Sequence, residues 1–157
     1  MMTDLTMEAL AAQLEASGDY RVLRRLPVPA AGFVPMPHLK RAVFLDVETT
    51  GLDPNEDEII ELAMVPFWYE DSGRIAGVGV GGSALRQPQK PIPADVTQLT
   101  GIRPDMVAGK TIDFAAAAQF AGESLIVAHN AGFDRRFVER FCPQLVNNRW
   151  ACSVDLH

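Results

Sequence analysis

Few features restrict this chain as tightly as the segment Ala42-Val43-Phe44-Leu45-Asp46-Val47-Glu48, an apolar run that ends in two carboxylates. A continuous apolar stretch of this length reads as a central strand buried on both faces, and such strands need helices to cover them. Residues two apart on a strand point the same way, so Asp46 and Glu48 project side by side, about 7 Å apart at Cα. Their repulsion at that separation is about 0.6 to 2.4 kcal/mol for effective dielectrics between 80 and 20. A protein that keeps such a pair neutralises it with a cation or leaves a proton on one member. Carboxylate oxygens are the preferred ligands of Mg²⁺ and Mn²⁺. The bland alternative is a solvated strand end with no function, and an isolated Asp-x-Glu favours it.

The surrounding pattern alternates strands and helices. Glu58–Tyr69 reads as a second strand, with Pro66 suited to an edge or a bulge. Asp71-Ser72-Gly73 marks a turn, and Arg74–Leu85 reads as one glycine-weakened third strand, which makes an antiparallel meander. A Pro-rich loop over Gln87–Pro93 precedes a short helix over Ala94–Leu99 stopped at Gly101, and Asp113–Ala121 is alanine-rich and helical. Ser124–Ala128 is a short buried strand that opens into His129-Asn130-Ala131-Gly132-Phe133-Asp134. Phe133, Phe137 and Phe141 then recur as one face of a helix ended by Pro143. Arg149–Asp155 reads as a last strand. A meander followed by βα units is a mixed α/β domain.

Residues 1–40 differ in character. Met7, Leu10, Ala11 and Leu14 fall on one helical face before Gly18. Tyr20–Leu26 suits a short strand or a docking segment, and Pro27, Pro29, Pro35 and Pro37 enforce an extended connector. The expected division is therefore an amphipathic arm and Pro-rich connector over 1–40 and the domain proper over 41–157. Charges balance within the arm, so the net charge of −6 lies in the domain. That balance excludes simple polycation binding to nucleic acid, but not an enzyme whose positive charge arrives as metal ions. Two cysteines, Cys142 and Cys152, cannot build a disulfide framework or a four-cysteine zinc site, and they fit a reducing, cytoplasmic setting. No apolar run reaches the roughly 18 residues that span a bilayer, and the N-terminus has no signal-peptide pattern, so no membrane partner is expected.

His129-Asn130-Ala131-Gly132-Phe133-Asp134 supplies the second constellation. Asn130 is placed to cap the helix, and Asp134 falls in its first turn, where complementing the helix dipole alone is worth about 0.3 to 1 kcal/mol. His129 by itself would suit a hydrogen-bonded core histidine. Yet two strands deliver acid groups at the edge of an α/β sheet where sites are found. Three carboxylates meeting there would hold two divalent ions, the arrangement that performs in-line phosphoryl displacement.

Asp46-Val47-Glu48-Thr49-Thr50-Gly51-Leu52, followed by the Asp134 motif in this order, resembles the DEDD superfamily of 3′–5′ exonucleases, in particular its DNA polymerase III epsilon-like (DnaQ-like) branch. Pro91-Ile92-Pro93, Val96 and Leu99-Thr100-Gly101-Ile102 are similar to that family's linking region, and the resemblance covers about residues 41–155. It implies an α/β, ribonuclease H-like mixed sheet with flanking helices. It also implies Asp46, Glu48 and Asp134 as catalytic metal ligands for two divalent cations, Mg or Mn. Thr49 and Thr50 would sit at the 3′-terminal nucleotide, Leu52 would pack on its base, His129 would lie near its pocket and Phe133 would help line it. The implied activity is stepwise release of nucleoside monophosphates from a single-stranded 3′ end, with DNA favoured over RNA, in replication or repair. A polymerase or a second copy is the implied protein partner.

The family's third motif, a His or Tyr with a fourth carboxylate, lies several dozen residues beyond the second. Asp155 and His157 stand too early and in the wrong order for it. The expectation is a fragment of a longer protein, with the C-terminal helices missing and, with the third motif, the family's general base and one metal ligand absent from this chain. Two other classes compete. One is a non-catalytic module of the same fold that binds nucleic acid or a polymerase. The other is an aspartate-nucleophile phosphotransferase, which would want a second Asp at position 48 and a downstream lysine in the site, and would leave the Asp134 motif unexplained. Arg135, Arg136 and Arg140 are read as a solvated helix face, with backbone contact to a nucleic acid as the alternative.

Overall fold

The computed structural model describes residues 6–23 and 33–154. Helix α1 (Met7–Ala16) is started by Thr6, whose hydroxyl accepts a hydrogen bond from the Ala9 amide at 3.2 Å. The expected helix forms, but it buries none of its residues, and Met7, Leu10 and Leu14 stay exposed. Tyr20–Leu23 forms no strand, with Tyr20, Arg21 and Leu23 exposed, while the other half of that segment, with Pro27 and Pro29, lies outside the described residues. Phe33 does reach the domain, with its ring 5.2 Å from that of Trp68.

Among the described residues, six strands make one mixed sheet. Strand β1 (Lys40–Thr49) lies at its centre, antiparallel to β2 (Ile59–Tyr69) and parallel to β5 (Leu125–Ala128). The far edge of β2 pairs with both β3 (Ile75–Val78) and β4 (Gly82–Leu85), and β5 continues in parallel to β6 (Trp150–Cys152). Helices α2 (Ala94–Thr100), α3 (Pro104–Val107), α4 (Phe114–Ala121) and α5 (Ala131–Phe141) fill the connections. The expected meander followed by βα units is present, and the fold is the ribonuclease H-like α/β arrangement.

Two expectations need correction. The single strand expected over Arg74–Leu85 is two short ones. The break faces Pro66 of β2, whose carbonyl accepts from the Gly79 amide at 2.7 Å but which has no N–H to return the bond. Ladder pairing therefore lapses there and resumes at Gly82. The second correction concerns β1, which is central but not buried on both faces. Val43, Leu45 and Val47 pack in the main core with Ile126, Phe137 and Val138, under α4 and α5. On the other face Phe44 and Asp46 are exposed, and the buried cluster of Ala42, Phe67 and Val127 draws only on strand residues among those described. Phe44 covers part of that face by stacking on Phe67, with centroids 4.7 Å apart.

α4 begins at Asp113, whose carboxylate accepts from the Ala116 amide at 2.9 Å, and α2 ends at Gly101 in the left-handed region (φ 75°) that glycine adopts without strain. A smaller cluster of Ile60, Ile92, Ile102 and Val107 seats α2 and α3 at the end of β2. These contacts bring α2 alongside the C-terminal end of β1.

Candidate active site

The register of β1 puts Asp46 and Glu48 on one face of the strand, as the two-residue period requires. Parallel pairing aligns β5 with β1, so the chain leaving Ala128 emerges beside them. Asn130 then takes the left-handed conformation (φ 62°, ψ 52°), which no other non-glycine residue adopts among those described. Asparagine tolerates this region better than most residues. The expected side-chain cap at Asn130 is absent. The residue instead makes the sharp turn that starts α5 against the end of the sheet.

That turn buries Asp134, which is only 3% exposed. Its Oδ1 accepts a hydrogen bond from the Val47 amide at 3.1 Å, a direct tie between the two sequence motifs. Burial pushes the Asp134 carboxyl up to about 6, with the Asp46 charge adding to the rise while the Val47 amide and His129 oppose it. Asp46 and Glu48 are also raised, first by partial loss of solvation at the strand end; the charge of Glu61 adds at Asp46, and those of Asp46 and Glu61 add at Glu48. Glu61 stands directly across from Glu48 in the β1/β2 pair. No cationic side chain is ion-paired to Asp46, Glu48 or Asp134 among the described residues.

Hard oxygen donors that repel one another and have no protein cation are the donor chemistry that divalent ions such as Mg²⁺ and Mn²⁺ take. The three carboxylates fit such ions in kind. As placed, no three His, Cys, Asp or Glu side chains among the described residues are gathered closely enough to hold one.

Beside Glu48 runs a groove of about 470 Å³, lined by Val47, Thr49, Thr50, Leu52, Pro93, Val96, Leu99, Thr100 and Phe133. Leu52 and Leu99 border it and are 82% and 86% exposed, two large apolar side chains beside one groove. Phe133 lines the floor and is itself packed on Phe137, with centroids 5.0 Å apart. Thr49 donates to the Gly51 carbonyl at 2.6 Å, and Thr50 donates to Asp57 at 3.1 Å while accepting from the Glu58 amide at 2.9 Å. Both threonines line the groove yet are buried, and their hydroxyl protons are engaged by the turn that follows β1.

His129 is separated from this groove. It is exposed, its Nδ1 lies 2.9 Å from the Ser153 hydroxyl, and with Asp46, Phe44 and Val65 it borders a smaller hollow of about 180 Å³ on the open sheet face. The structure therefore groups Asp46 with His129, and Glu48 with Thr49, Thr50, Leu52 and Phe133. Arg135 pairs with Glu139 at 2.6 Å and Arg136 donates to the Gly132 carbonyl at 2.8 Å, so both are held within α5.

Sequence reasoning missed Glu61 and Leu99. Glu61 sits in an apolar strand with no motif of its own, and only the cross-strand register brings it to Glu48. Leu99 offered a faint signal, a leucine at the exposed end of a short helix within the linking region.

The pattern that describes the exonuclease family, of RNase T type, matches residues 43–152. A PolC-type DNA polymerase III from Thermotoga maritima is 36% identical over 111 residues, which is 69% of this chain and 8% of that protein. The DNA polymerase III epsilon subunit of Treponema pallidum is 38% identical over 99 residues, 59% of this chain and 42% of that protein. The chain thus spans less than half the length of these relatives. Escherichia coli exonuclease I, solved in complex with a dA16 oligonucleotide, superposes with a TM-score of 0.59 at 18% identity over 74% of this chain and 29% of that one, a likeness of fold. A family pattern that begins within the strand bearing Asp46 and Glu48 and runs past Asp134 covers both motifs that the structure ties together, and the chain belongs to the RNase T-type exonuclease family.

Proposed function

We propose that this domain is a metal-dependent 3′–5′ exonuclease that hydrolyses the terminal phosphodiester of a single-stranded nucleic acid and releases nucleoside monophosphates. The observation that carries the reading is the bond from the Val47 amide to Asp134, which draws the third carboxylate to the strand that bears Asp46 and Glu48. These three would hold two divalent cations, Mg²⁺ or Mn²⁺, which supply Lewis acidity at the phosphodiester and an activated water when bound. The protein's own part is to seat the strand. Leu52 and Leu99 offer apolar contact that is blind to base identity, Phe133 lines the floor, and Thr49 and Thr50 lie where the sugar and phosphate would pass. His129 works from the Asp46 side, its ring oriented by Ser153.

DNA is the proposed polymer because relatives of this chain carry polymerase names and a fold neighbour was solved with a DNA oligonucleotide. The same relatives' names support a polymerase as protein partner, and our reading places the domain in DNA replication or repair in the cytoplasm. Residues 41–157 form the exonuclease domain in this reading, and 1–40 an arm anchored through Phe33 on Trp68.

A second reading, a binding module of the same fold without turnover, is favoured by one observation. Glu48 lines the groove whereas Asp46 borders the separate hollow beside His129, so the strand's two carboxylates are divided between two hollows. One experiment separates the two: the chain and its Asp46→Ala variant are incubated with a 5′-labelled single strand and Mn²⁺. A ladder shortening from the 3′ end and lost in the variant supports the exonuclease. Metal-dependent retention of an intact strand by this chain and by the full-length gene product alike overturns it in favour of the binding module.

A further inference from the structure

The lip of the groove is the loop 51–57 between β1 and β2, which carries Leu52. The loop has little regular structure of its own, and much of its internal order comes from Asp57. That carboxylate accepts from the Asp53 amide at 3.0 Å and from the Thr50 hydroxyl at 3.1 Å. Gly51 passes so close that a Cβ there would lie 2.4 Å from an Asp57 oxygen. Lys90 and Arg140, from elsewhere in the chain, hold the loop against the domain; Lys90 donates to the Glu56 carbonyl and carboxylate, each at 3.2 Å, and Arg140 makes the closer contact. One guanidinium nitrogen of Arg140, on α5, donates to the Pro54 carbonyl at 2.5 Å and to the Asp57 carbonyl at 3.0 Å. The same guanidinium lies 5.0 Å from the centre of the Phe141 ring. Charge-assisted bonds of this kind are about twice as strong as neutral ones, and the ring contact restrains the donor.

We propose that Arg140 is a positioning residue for the 3′-terminal nucleotide. It clamps the lip that carries Leu52 to the helix that carries Asp134, so that the apolar border of the groove and the carboxylates keep one spacing. A solvated arginine would bond to water at no fixed place, whereas this one bridges two carbonyls of a single loop. The inference rests on the nucleic-acid reading above, because it assigns Arg140 an effect on a bound strand end that it does not touch. Arg140→Lys keeps a cationic donor for the carbonyls, and Arg140→Ala removes it.

The test combines two measurements on the whole chain. Amide hydrogen exchange is compared across the loop and across β1 and β5, and affinity is measured for a short oligo-dT ending in a hydrolysis-resistant phosphorothioate, with Mn²⁺. Arg140→Ala is expected to speed exchange at 53–57 about tenfold with β1 and β5 unchanged, and to weaken oligonucleotide binding about tenfold. Arg140→Lys is expected to restore most of both. Leu52→Ala is expected to weaken binding in the native background and to add nothing in the Arg140→Ala background, because coupled residues are non-additive. Additive losses, or an Arg140→Ala variant that binds normally, overturn the inference while leaving the nucleic-acid reading intact. A native chain that does not bind the oligonucleotide overturns that reading and this inference with it.

Discussion

Glu48 faces Glu61 directly across the antiparallel pair of β1 and β2, and the register slips immediately afterwards, between Glu48 and Thr49. Like charges directly opposite each other destabilise a sheet by about 0.2 to 1 kcal/mol. Glu61→Gln is therefore expected to stabilise the metal-free protein by about that amount, read as a higher urea midpoint in chelator. Saturating Mn²⁺ is expected to shrink the difference, because a bound cation relieves the same repulsion. An unchanged midpoint in chelator would show that the pair is fully solvated.

The raised carboxyls make stability depend on pH in a definite direction. Asp134 titrates near 6 in the folded chain against 3.8 for an ordinary aspartate, so the folded state holds its proton more tightly than the unfolded state. The resulting stabilisation is full below the unfolded value and is lost as pH rises through about 6. Asp46 and Glu48 act in the same sense, whereas Glu58, held low by Arg86 and by the Gln89 and Lys90 amides, opposes them toward the acid end. Without metal, the melting temperature is expected to climb as pH falls from about 7 to about 5. Asp134→Asn is expected to flatten that climb, and a variant with the native profile would remove Asp134 as its source.

Divalent ions should reverse the cost of these charges. A ligand that binds only the folded state at 100 times its dissociation constant adds about 2.7 kcal/mol. Titration with Mg²⁺ or Mn²⁺ is expected to raise the melting temperature of the native chain, with the increase lost in Asp46→Asn and in Asp134→Asn. An increase that survives in both variants would point to ions binding elsewhere.

Core and groove should separate cleanly. Phe137 is fully buried beneath the sheet, and Phe137→Ala is expected to cost about 3 to 5 kcal/mol. Leu99 is 86% exposed, so Leu99→Ala should leave stability within about 0.5 kcal/mol while weakening oligonucleotide binding. Denaturant curves and a binding titration on the two variants check both halves, and a Leu99→Ala variant that binds normally would remove α2 from the nucleotide groove.

The fold was legible wherever a local period carried it. Alternation placed Asp46 and Glu48 on one face, the four-residue spacing of Phe133, Phe137 and Phe141 marked the helix that packs on the sheet, and Gly101 marked the end of α2. The strand break opposite Pro66 was hidden, because it depends on which side of β2 the missing N–H faces. The open face of β1 was hidden as well, since an apolar run looks the same whether one side or both are covered.

For the site, the sequence alone pointed to Asp46, Glu48 and Asp134 as candidates and marked the family, since the spacing within each motif and the order of the motifs are properties of the chain. Tertiary structure decided that Glu61 joins Glu48, that Leu99 borders the groove with Leu52, that His129 sits with Asp46 on the other side, and that Arg140 reaches the loop at Pro54 and Asp57. Each of these depends on strand register or on a contact between segments far apart in the chain, and neither periodicity nor propensity encodes the distance between residues that meet only when the sheet and its helices pack.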